Sequence, residues 1–528
     1  MKSGTAPPPA AASLPNARKY LIFGVMAFGQ FMALIDIQIV AASLNDIQAG
    51  LSAGPDEISW VQTAYLMAEL VMIPFSGFLA QALSTRGLFA LSAGLFTLSS
   101  ALCGLAWDIQ SMILFRAIQG FVGGAMVPTV FATGFSMFSG PQRAMIPAIL
   151  GMVSTLAPTL GPTVGGWITD TIDWRWIFYI NIVPGACVTV LAWIFARVDT
   201  ANPSLLKRID WIHLGAMATF LAGLEYVLEE GPRYDWFDDP DISVAGWLSL
   251  VGFLLFLERS FYSKSPIVKL PPFRKPTFAF ACLFNLVIGF GMYAATYLVP
   301  VFLGRVRGYS SFDIGTTVFV SGIAMALGAP IAATFSQKAD PRLMITCGLI
   351  LFAAGLWLFS DINSEWGYGA LFWPQIVRGF AIMLCIVPSV TMALSGFALT
   401  ELRYASGLFN LMRNLGGAIG IAVVNTWLQD QTRIHALHLG EAMGESARMA
   451  QSFIGGLAQQ MTRMTPDPAH AMAMAQGEMG RMVGRQALTL AFDDVFRLMA
   501  WLFVAALLMV PFCRPPSQAQ ASAPVEAH

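Results

Sequence analysis

The sequence has few charged residues. Aspartate, glutamate, lysine and arginine make up 12% of its 528 residues, about half of the roughly 25% that is typical of soluble globular proteins. Hydrophobic residues make up 56%, and the mean hydropathy is +0.64. Much of the surface must therefore face lipid. A net charge of −1 also argues against a nucleic-acid partner, which would call for a basic surface.

Motifs of enzymes and of metal sites are also missing. The chain has no HExxH sequence, no Walker phosphate-binding loop and no nucleophile elbow. Its six cysteines lie apart in apolar segments, without a CxxC pair or metal-ligand spacing, and we interpret them as small packing residues. The sequence therefore predicts a protein that is not an enzyme and that needs no metal or cofactor. Without an ATP site, any transport must use an ion gradient.

Long apolar runs are what the sequence does contain. A helix that crosses the hydrocarbon core needs about 20 mostly apolar residues, and this rule predicts fourteen spans, numbered here in chain order. Their approximate limits are 20–43, 58–80, 87–107, 111–136, 144–168, 174–196, 210–229, 242–261, 276–303, 312–336, 342–360, 367–395, 404–428 and 494–513. Residues 1–19 and 514–528 are predicted to be disordered tails, since the first lacks the features of a cleaved signal peptide.

Basic residues predict the orientation of the spans. Short cytoplasmic loops hold an excess of lysine and arginine, and the loops that follow even-numbered spans fit that rule. These loops contain Arg86, Arg143, Arg197, Lys207, Arg208, Arg259, Lys264, Lys269, Arg274, Lys275, Lys338, Arg342 and Arg403, whereas the short loops on the other side contain only Arg175, Arg233, Arg305 and Arg307. Both termini are therefore predicted to lie in the cytoplasm.

Six ionisable residues are predicted to be buried within the spans, away from the span ends, and a charge at the centre of such a helix costs about 2.5–3.5 kcal/mol. They are Asp36, Glu69, Arg116, Glu225, Arg378 and Arg413. Low dielectric favours the protonated form of a carboxyl group and a nearby cation favours the ionised form, so a carboxyl between these influences can carry a proton. We expect Asp36 or Glu69 to carry it, with Arg116 biasing protonation. The alternatives are a static role for Asp36, substrate contact for Glu69 and a clamp on backbone carbonyls for Arg116.

Small residues share one face in two of the spans. At 100° per residue, each set falls within an arc of about 140°. The sets are Arg116, Gln119, Gly120, Gly123 and Gly124 in span 4, and Gly151, Ser154, Pro158, Gly161, Pro162, Gly165 and Gly166 in span 5. Such faces allow helices to approach closely, and prolines kink a helix and free carbonyls. Span 5 is therefore predicted to bend at a moving interface.

Several stretches resemble one transporter family. They are "LIDIQIVAASLNDI" in span 1, "FRAIQGFVGG" in span 4, "APTLGPTVGGWITD" in span 5, "WRWIFYINIVPG" in span 6 and "SGLFNLMRNLGGAIG" in span 13. Together they resemble the fourteen-span drug:proton antiporters of the major facilitator superfamily, the EmrB/QacA type, over nearly the whole chain after the N-terminal tail. The resemblance implies an all-α membrane fold of two six-helix bundles, 20–196 and 276–513, with two inserted helices and linkers at 197–275.

The resemblance also implies a function. It implies proton-coupled export of amphipathic or hydrophobic drugs and toxic organic compounds across the bacterial inner membrane by alternating access. It further implies a periplasmic adaptor (membrane fusion) protein and an outer-membrane channel as partners. A dedicated exporter of one metabolite, such as a siderophore, fatty acid or toxin, remains an alternative on the same fold. Coupling to sodium in place of protons also remains an alternative. If the chain is not a transporter, the alternative is an integral-membrane enzyme or receptor.

The chain departs from the family pattern in two places. The loop after span 2, "GFLAQALSTRG", keeps Gly77 and Arg86 but has Gln81 where an acid is expected and Ser84 where a glycine is expected. The loop therefore lacks the acid that a charge-based gate would need at position 81. In span 1, Asp36 is followed by Ile37 and Gln38 in place of a D-x-T sequence, which affects substrate or coupling detail.

The sequence also predicts a substrate cavity and a helical segment outside the membrane. A tolerant substrate cavity is predicted from aromatic, methionine and arginine side chains, for which packing or lipid contact is the alternative. Its members are Tyr65, Met67, Tyr293, Tyr297, Arg378 and Arg413. The long outer segment 429–493 has alanine, glutamine and methionine at helical spacing. It is predicted to form amphipathic helices over the outer mouth and to offer a docking surface for the adaptor, in preference to a methionine metal site.

Overall fold

The computed structural model describes residues 15–54, 56–263, 266–336, 338–394, 397–445, 447–463, 465 and 467–512. Within these ranges the regular secondary structure is helical and includes no β-strand, which confirms the all-α prediction. The predicted tails 1–14 and 514–528 lie outside the described residues. Residues 16–19, predicted to belong to the first tail, instead form the first turn of span 1, because no proline or glycine lies between Pro15 and the start of the predicted span.

The helices follow the predicted spans closely. Spans 1 to 8 correspond to Asn16–Ala42, Trp60–Gly104 (spans 2 and 3), Ile109–Gly123 with Met126–Met137, Met145–Thr171, Trp176–Tyr179 with Ile182–Phe195, Trp211–Glu230 and Pro240–Tyr262. Spans 9 to 14 correspond to Pro276–Arg305, Ser311–Phe335, Pro341–Leu358, Tyr368–Leu394, Leu399–Glu445 and Pro468–Ala506. Short helices at Leu44–Leu51 and Ala447–Met461 lie outside the spans, as do the 3₁₀ turns Gly140–Ala144, Pro203–Arg208, Trp236–Asp238, Pro271–Arg274 and Leu507–Phe512.

One long helix accounts for two of the predicted spans. In the described part of the chain, thirteen helices are long and apolar enough to cross a membrane, and Trp60–Gly104 is one of them at 45 residues. Its backbone leaves the helical region at Ser84, with φ 70° and ψ 158°. Counted on either side of this kink, the thirteen helices correspond to the fourteen predicted spans. Glycine adopts such a φ without a steric penalty, which explains the glycine that the family pattern places here.

Spans 13 and 14 continue far beyond the apolar core. The span 13 helix runs on from residue 429 to Glu445, and the helix that contains span 14 begins at Pro468. At about 1.5 Å per residue, these extensions add about 25 Å and 39 Å. The helix Ala447–Met461 packs against the second extension. The segment 429–493 is therefore mostly helical, but much of it continues the spans themselves.

The helices pack as two groups with a pair beside them. Span 4 packs against spans 2 and 3 in the first group, and span 9 packs against span 13 in the second. The groups meet where span 5 lies along span 10 and span 2 lies along span 13. Spans 7 and 8 pack on each other, and span 7 also contacts the helix of span 2 through Trp60 and Tyr226, whose stacked rings lie 5.3 Å apart. The inserted pair therefore stands next to the junction between the groups.

Candidate functional site

A buried ion pair joins spans 1 and 4. Arg116 Nη1 lies 2.7 Å from Asp36 Oδ2, and neither side chain is exposed. The other carboxylate oxygen, Oδ1, accepts hydrogen bonds from Gln119 Nε2 at 3.1 Å and from Asn181 Nδ2 at 2.6 Å. Gln119 in turn accepts a hydrogen bond from Arg116 Nη1 at 2.8 Å. The Asp36 carboxylate thus holds side chains of spans 4 and 6 at once.

The rest of the Arg116 side chain binds span 2. Its Nε donates to the carbonyl of Val61 at 3.1 Å, and the guanidinium carbon lies 4.2 Å from the centre of the Tyr65 ring. Its Nη2 is buried and has no acceptor among the described residues. Arg116 therefore contacts both the backbone carbonyl of Val61 and the carboxylate of Asp36. These contacts connect spans 1, 2, 4 and 6, and we refer to the ion pair with its hydrogen-bond partners as the clamp.

Two glycines on the span 4 face make this clamp possible. A Cβ atom at Gly120 would overlap the carbonyl of Tyr65, and one at Gly124 would lie 2.6 Å from the carbonyl oxygen of Glu69. Both positions therefore need glycine for span 4 to approach the backbone of span 2. The prediction that small residues on this face allow close helix contact agrees with this geometry.

A cavity lies between the two helix groups, and Glu69 borders it. The cavity has a volume of about 120 Å³. Glu69 is 6% exposed, and no hydrogen bond to its carboxyl group is present within the described ranges. The cations that act on it are Arg413 and Arg116. The cavity is lined by Leu34, Ile37, Gln38, Gln62, Leu66, Glu69, Leu70, Ser154, Pro158, Glu225, Glu229, Tyr293, Asn414, Gly417, Ala418 and Ile421.

The predicted cavity residues do not all meet there. Tyr293 lines the cavity, but Tyr65, Met67 and Tyr297 do not. Tyr65 is fully buried because its ring lies against Arg116, while Met67 and Tyr297 are partly buried in the packing of the helices.

The two predicted arginines also lie outside the cavity lining. Arg378 is 5% exposed, borders a separate small gap with Met292, and donates to the carbonyl of Ala295 at 2.8 Å. Arg413 is 2% exposed, and its guanidinium carbon lies 5.8 Å from the ring centre of Phe131. Arg413 therefore acts on the cavity through its charge, whereas Arg378 holds the backbone of span 9.

The small face of span 5 packs mainly inside its own group. A Cβ atom at Gly161 would overlap the side chain of Gln38, and one at Gly165 would lie 3.0 Å from the carbonyl oxygen of Ile39. Its glycines thus permit close contact with span 1. Contact with the other group comes from Gly151, which faces Met383 of span 12, and from the neighbouring Thr159 and Thr163, which face glycines of span 10. Of the predicted set, Pro158 borders the cavity, and Pro162 and Gly166 lie on the same helix.

Comparisons with known proteins agree with this architecture. The family model of the Major Facilitator Superfamily matches residues 26–421. The chain belongs to the major facilitator superfamily.

Its relatives place the chain in the EmrB type of that family. It is 40% identical over 497 residues to the colistin resistance protein EmrB of Acinetobacter baumannii, covering 94% of this chain and 96% of that protein. It is 27% identical over 504 residues to the multidrug export protein EmrB of Escherichia coli K12, covering 95% and 97%. The fatty acid resistance protein FarB of Neisseria gonorrhoeae is 27% identical over 487 residues, covering 92% and 94%.

A solved structure shows the same fold. The crystal structure of the human organic anion transporter MFSD10 (TETRAN) matches with a TM-score of 0.55 and 14% sequence identity, covering 93% of this chain and all of that one. The predicted family and fold class are therefore confirmed. The chain is a multi-pass membrane protein and an EmrB-type efflux transporter of the major facilitator superfamily.

In this EmrB-type transporter, a carboxylate from another part of the chain lies at the loop after span 2. Gln81 stands where the family loop has an acid, and Tyr404 of span 13 donates to its side chain at 3.3 Å. The carboxylate comes instead from Asp199, after span 6, which accepts a hydrogen bond from the backbone N–H of Thr85 at 3.0 Å. Asp199 also forms an ion pair with Arg403 at the start of span 13. The two halves are thus joined at the predicted cytoplasmic end.

The remaining motif residues support this junction. A Cβ atom at Gly77 would lie 3.1 Å from the carbonyl oxygen of Arg403, so the missing side chain allows span 13 to pack directly on span 2. Arg403 also donates to the carbonyl of Ala80 at 3.2 Å. Arg86 does not take part in the junction. It stacks on Trp193 of span 6, with its guanidinium carbon 4.4 Å from the ring centre.

Replacing Asp199 with asparagine should loosen this end of the transporter. The ion pair is partly buried and should contribute about 1 kcal/mol, so the open population should rise by roughly fivefold. A cysteine introduced at Ala132, which borders a small gap beside Arg403, reports opening through its rate of alkylation in a background without other cysteines. Asp173→Asn breaks an exposed pair with Arg175 elsewhere and should leave the rate unchanged. Equal rates in both variants would show that the junction does not depend on this pair.

Several residues of the site were not singled out from the sequence. Asn181 lies in the quoted span 6 motif as an isolated polar residue among apolar ones, a signal that could have revealed it. Glu229 lies at the predicted outer end of span 7, where an acid needs no special explanation. Asp199 lies in a loop, and the missing acid at position 81 is the clue to its role. In each case the helix packing supplies the missing information.

Proposed function

We propose that the chain is a proton-coupled antiporter that exports amphipathic organic compounds by alternating access between its two halves. The observation that carries the proposal is Glu69, a buried carboxyl that borders the central cavity without a hydrogen-bond donor in the described part of the chain. A proton can reach such a group from the cavity. Arg413 and Arg116 are the charged groups that act on it.

Glu69 is a better proton carrier than Asp36. The Asp36 carboxylate accepts hydrogen bonds from Arg116, Gln119 and Asn181, and each of these bonds stabilises its ionised form. Protonation of Asp36 would have to break the clamp between spans 1, 4 and 6. We therefore assign the clamp to Asp36 and Arg116, and the proton to Glu69.

The energy for export then comes from the membrane potential and the pH gradient. One charge that crosses about 100 mV releases about 2.3 kcal/mol, which corresponds to a concentration ratio of roughly fiftyfold. Cargo and proton occupy the same cavity in turn while the two halves rock about the span 5–span 10 and span 2–span 13 contacts. The Asp199–Arg403 pair closes the cytoplasmic end during part of this cycle.

The cellular setting follows from the relatives and the loops. We propose that the transporter lies in the inner membrane of a bacterial cell with both termini in the cytoplasm, as its basic loops favour. The helical extensions of spans 13 and 14 then project outward. They offer a surface for a periplasmic adaptor protein that connects to an outer-membrane channel.

A dedicated exporter of one compound is the second candidate. It is favoured by two of the relatives, whose names refer to resistance to colistin and to fatty acids. A tolerant exporter should move several chemically unrelated amphiphiles from a panel, and a dedicated one should move a single class.

Transport in inverted membrane vesicles tests the proposed coupling. Vesicles with an acidified lumen should accumulate a fluorescent amphiphile, and a protonophore should abolish the accumulation because it dissipates the only energy source. Vesicles without the transporter provide the background. Accumulation that survives the protonophore but requires sodium would show that sodium, and not the proton, is the coupling ion.

A further inference from the structure

The inserted pair of helices contributes directly to the central cavity. Span 7 packs against spans 2 and 13, and its residues Glu225 and Glu229 line the cavity together with Glu69. Glu225 is 5% exposed. A helix that lies outside both six-helix bundles in the sequence thus provides two of the three carboxyl groups at the candidate site.

The cavity lining contains hydrogen-bond acceptors that have no donor. Glu225 Oε2, Gln62 Oε1 and Asn414 Oδ1 are all buried, and none has a partner among the residues that the structure describes. These three residues come from spans 7, 2 and 13, and all of them line the same cavity. A buried acceptor without a donor costs about 1–3 kcal/mol. A ligand that brings N–H donors into the cavity would remove this cost.

The charges around Glu225 point to a positively charged ligand. The ionisable groups that act on it are Glu229 and Glu69, which are both acids. Arg413 and Arg116 act on Glu69, and neither of them lines the cavity. Glu225 and Glu229 therefore have no compensating cation of their own in the described chain. Burial of unpaired carboxylates is costly, so a cation with hydrogen-bond donors is the complementary ligand.

We propose that Glu225 and Glu229 of the inserted span 7 form a subsite for the ammonium or guanidinium group of an organic cation, with Gln62 and Asn414 accepting further hydrogen bonds. The inference rests on the proposed export function and names the cargo class that this function serves. A cavity of about 120 Å³ holds about four water molecules at roughly 30 Å³ each, so it accommodates a polar head group. The apolar body of the cargo lies between the two halves.

A pair of dyes tests this subsite with purified transporter at equilibrium. Dansylcadaverine ends in a primary ammonium group, and N-pentyl dansylamide has the same fluorophore and chain without it. Wild-type protein should bind dansylcadaverine at least about tenfold more tightly, as a charge-assisted hydrogen bond implies. Glu225→Gln and Glu229→Gln should each weaken dansylcadaverine binding by about tenfold or more and change N-pentyl dansylamide binding by less than about twofold.

The matched control and the readouts separate binding from folding. Glu258→Gln removes an exposed carboxyl on span 8 of the same inserted pair and should change neither dye. Glu229 is only partly buried, so its variant keeps the test informative where Glu225→Gln folds poorly. Equal losses for both dyes, or unchanged dansylcadaverine binding in both variants, would overturn the subsite. These measurements use no proton gradient, so a failure of proton coupling shows up separately, as protonophore-insensitive transport in vesicles.

Discussion

Vesicles that contain the Glu69→Gln variant should no longer accumulate a fluorescent amphiphile against its gradient. Glutamine has nearly the shape of glutamate but cannot exchange a proton, so the cargo would equilibrate without a driving force. The accumulation ratio should fall from as much as about fiftyfold per proton at 100 mV to a ratio of one. The measurement is dye uptake into inverted vesicles with an acidic lumen, normalised to the amount of inserted transporter.

Two further measurements make this result specific. Exchange of labelled for unlabelled cargo down a gradient should persist in Glu69→Gln, because alternating access and cargo contacts remain. Glu69→Asp keeps a titratable group in the cavity and should restore part of the uphill transport. If the Glu69→Gln variant still accumulated the dye to the wild-type ratio, another carboxyl group would be the proton carrier. The proposal that Glu69 carries the proton would then be wrong.

The sequence is informative about the membrane fold because length and hydropathy determine which segments can cross lipid. Each of the fourteen spans carries its own apolar run, so its existence does not depend on any neighbour. The kink at Ser84 was not predicted, because the polar residues between spans 2 and 3 indicate a loop and do not show that helix continues on both sides of a single non-helical residue. The continuation of the span 13 and span 14 helices beyond the apolar core was also missed, since alanine-rich and glutamine-rich segments give a helical pattern without showing where one helix ends.

The candidate site was predictable as a set of residues but not as a geometry. Asp36, Glu69, Arg116 and Glu225 all stand out as ionisable residues in apolar segments. Which of them pair is decided by how the helices rotate and pack over separations of 80 residues or more, and a single sequence does not contain that information. The same limit applies to the span 5 glycines. Their shared face was evident, but only the packing shows that it turns toward span 1.

The sequence alone does not show whether Asp36 belongs to a clamp or carries a proton, since the two roles require the same residue types. Both roles need a carboxyl group buried near an arginine. They differ in whether the carboxyl is free to change its partner. Three hydrogen bonds on the Asp36 carboxylate leave it little freedom, whereas Glu69 has open space beside it. The structure therefore favours a division of labour between two acids that sequence patterns alone treat as equivalent.

Asp36→Asn should reduce the stability of the protein more than any change at a lipid-facing position. The variant leaves the Arg116 guanidinium buried without its counter-charge, and breaking a buried pair in this way costs about 3–5 kcal/mol. We expect a clear fall in the apparent melting temperature of the purified protein in detergent. Asn181→Ala removes only one neutral donor from the same carboxylate and should cost about 1.5–3 kcal/mol, with a smaller shift.

The double variant Asp36→Asn/Arg116→Gln separates the clamp from proton transfer. Removing both charges eliminates the unpaired cation, so the double variant should be more stable than Asp36→Asn alone. A double-mutant cycle over Asp36 and Arg116 should therefore give a favourable coupling free energy between the two residues. Protein that folds should also keep transport that a protonophore abolishes, because Glu69 is intact. If Asp36→Asn instead kept the wild-type melting temperature and lost only its response to the proton gradient, Asp36 would be the proton carrier and the clamp assignment would be wrong.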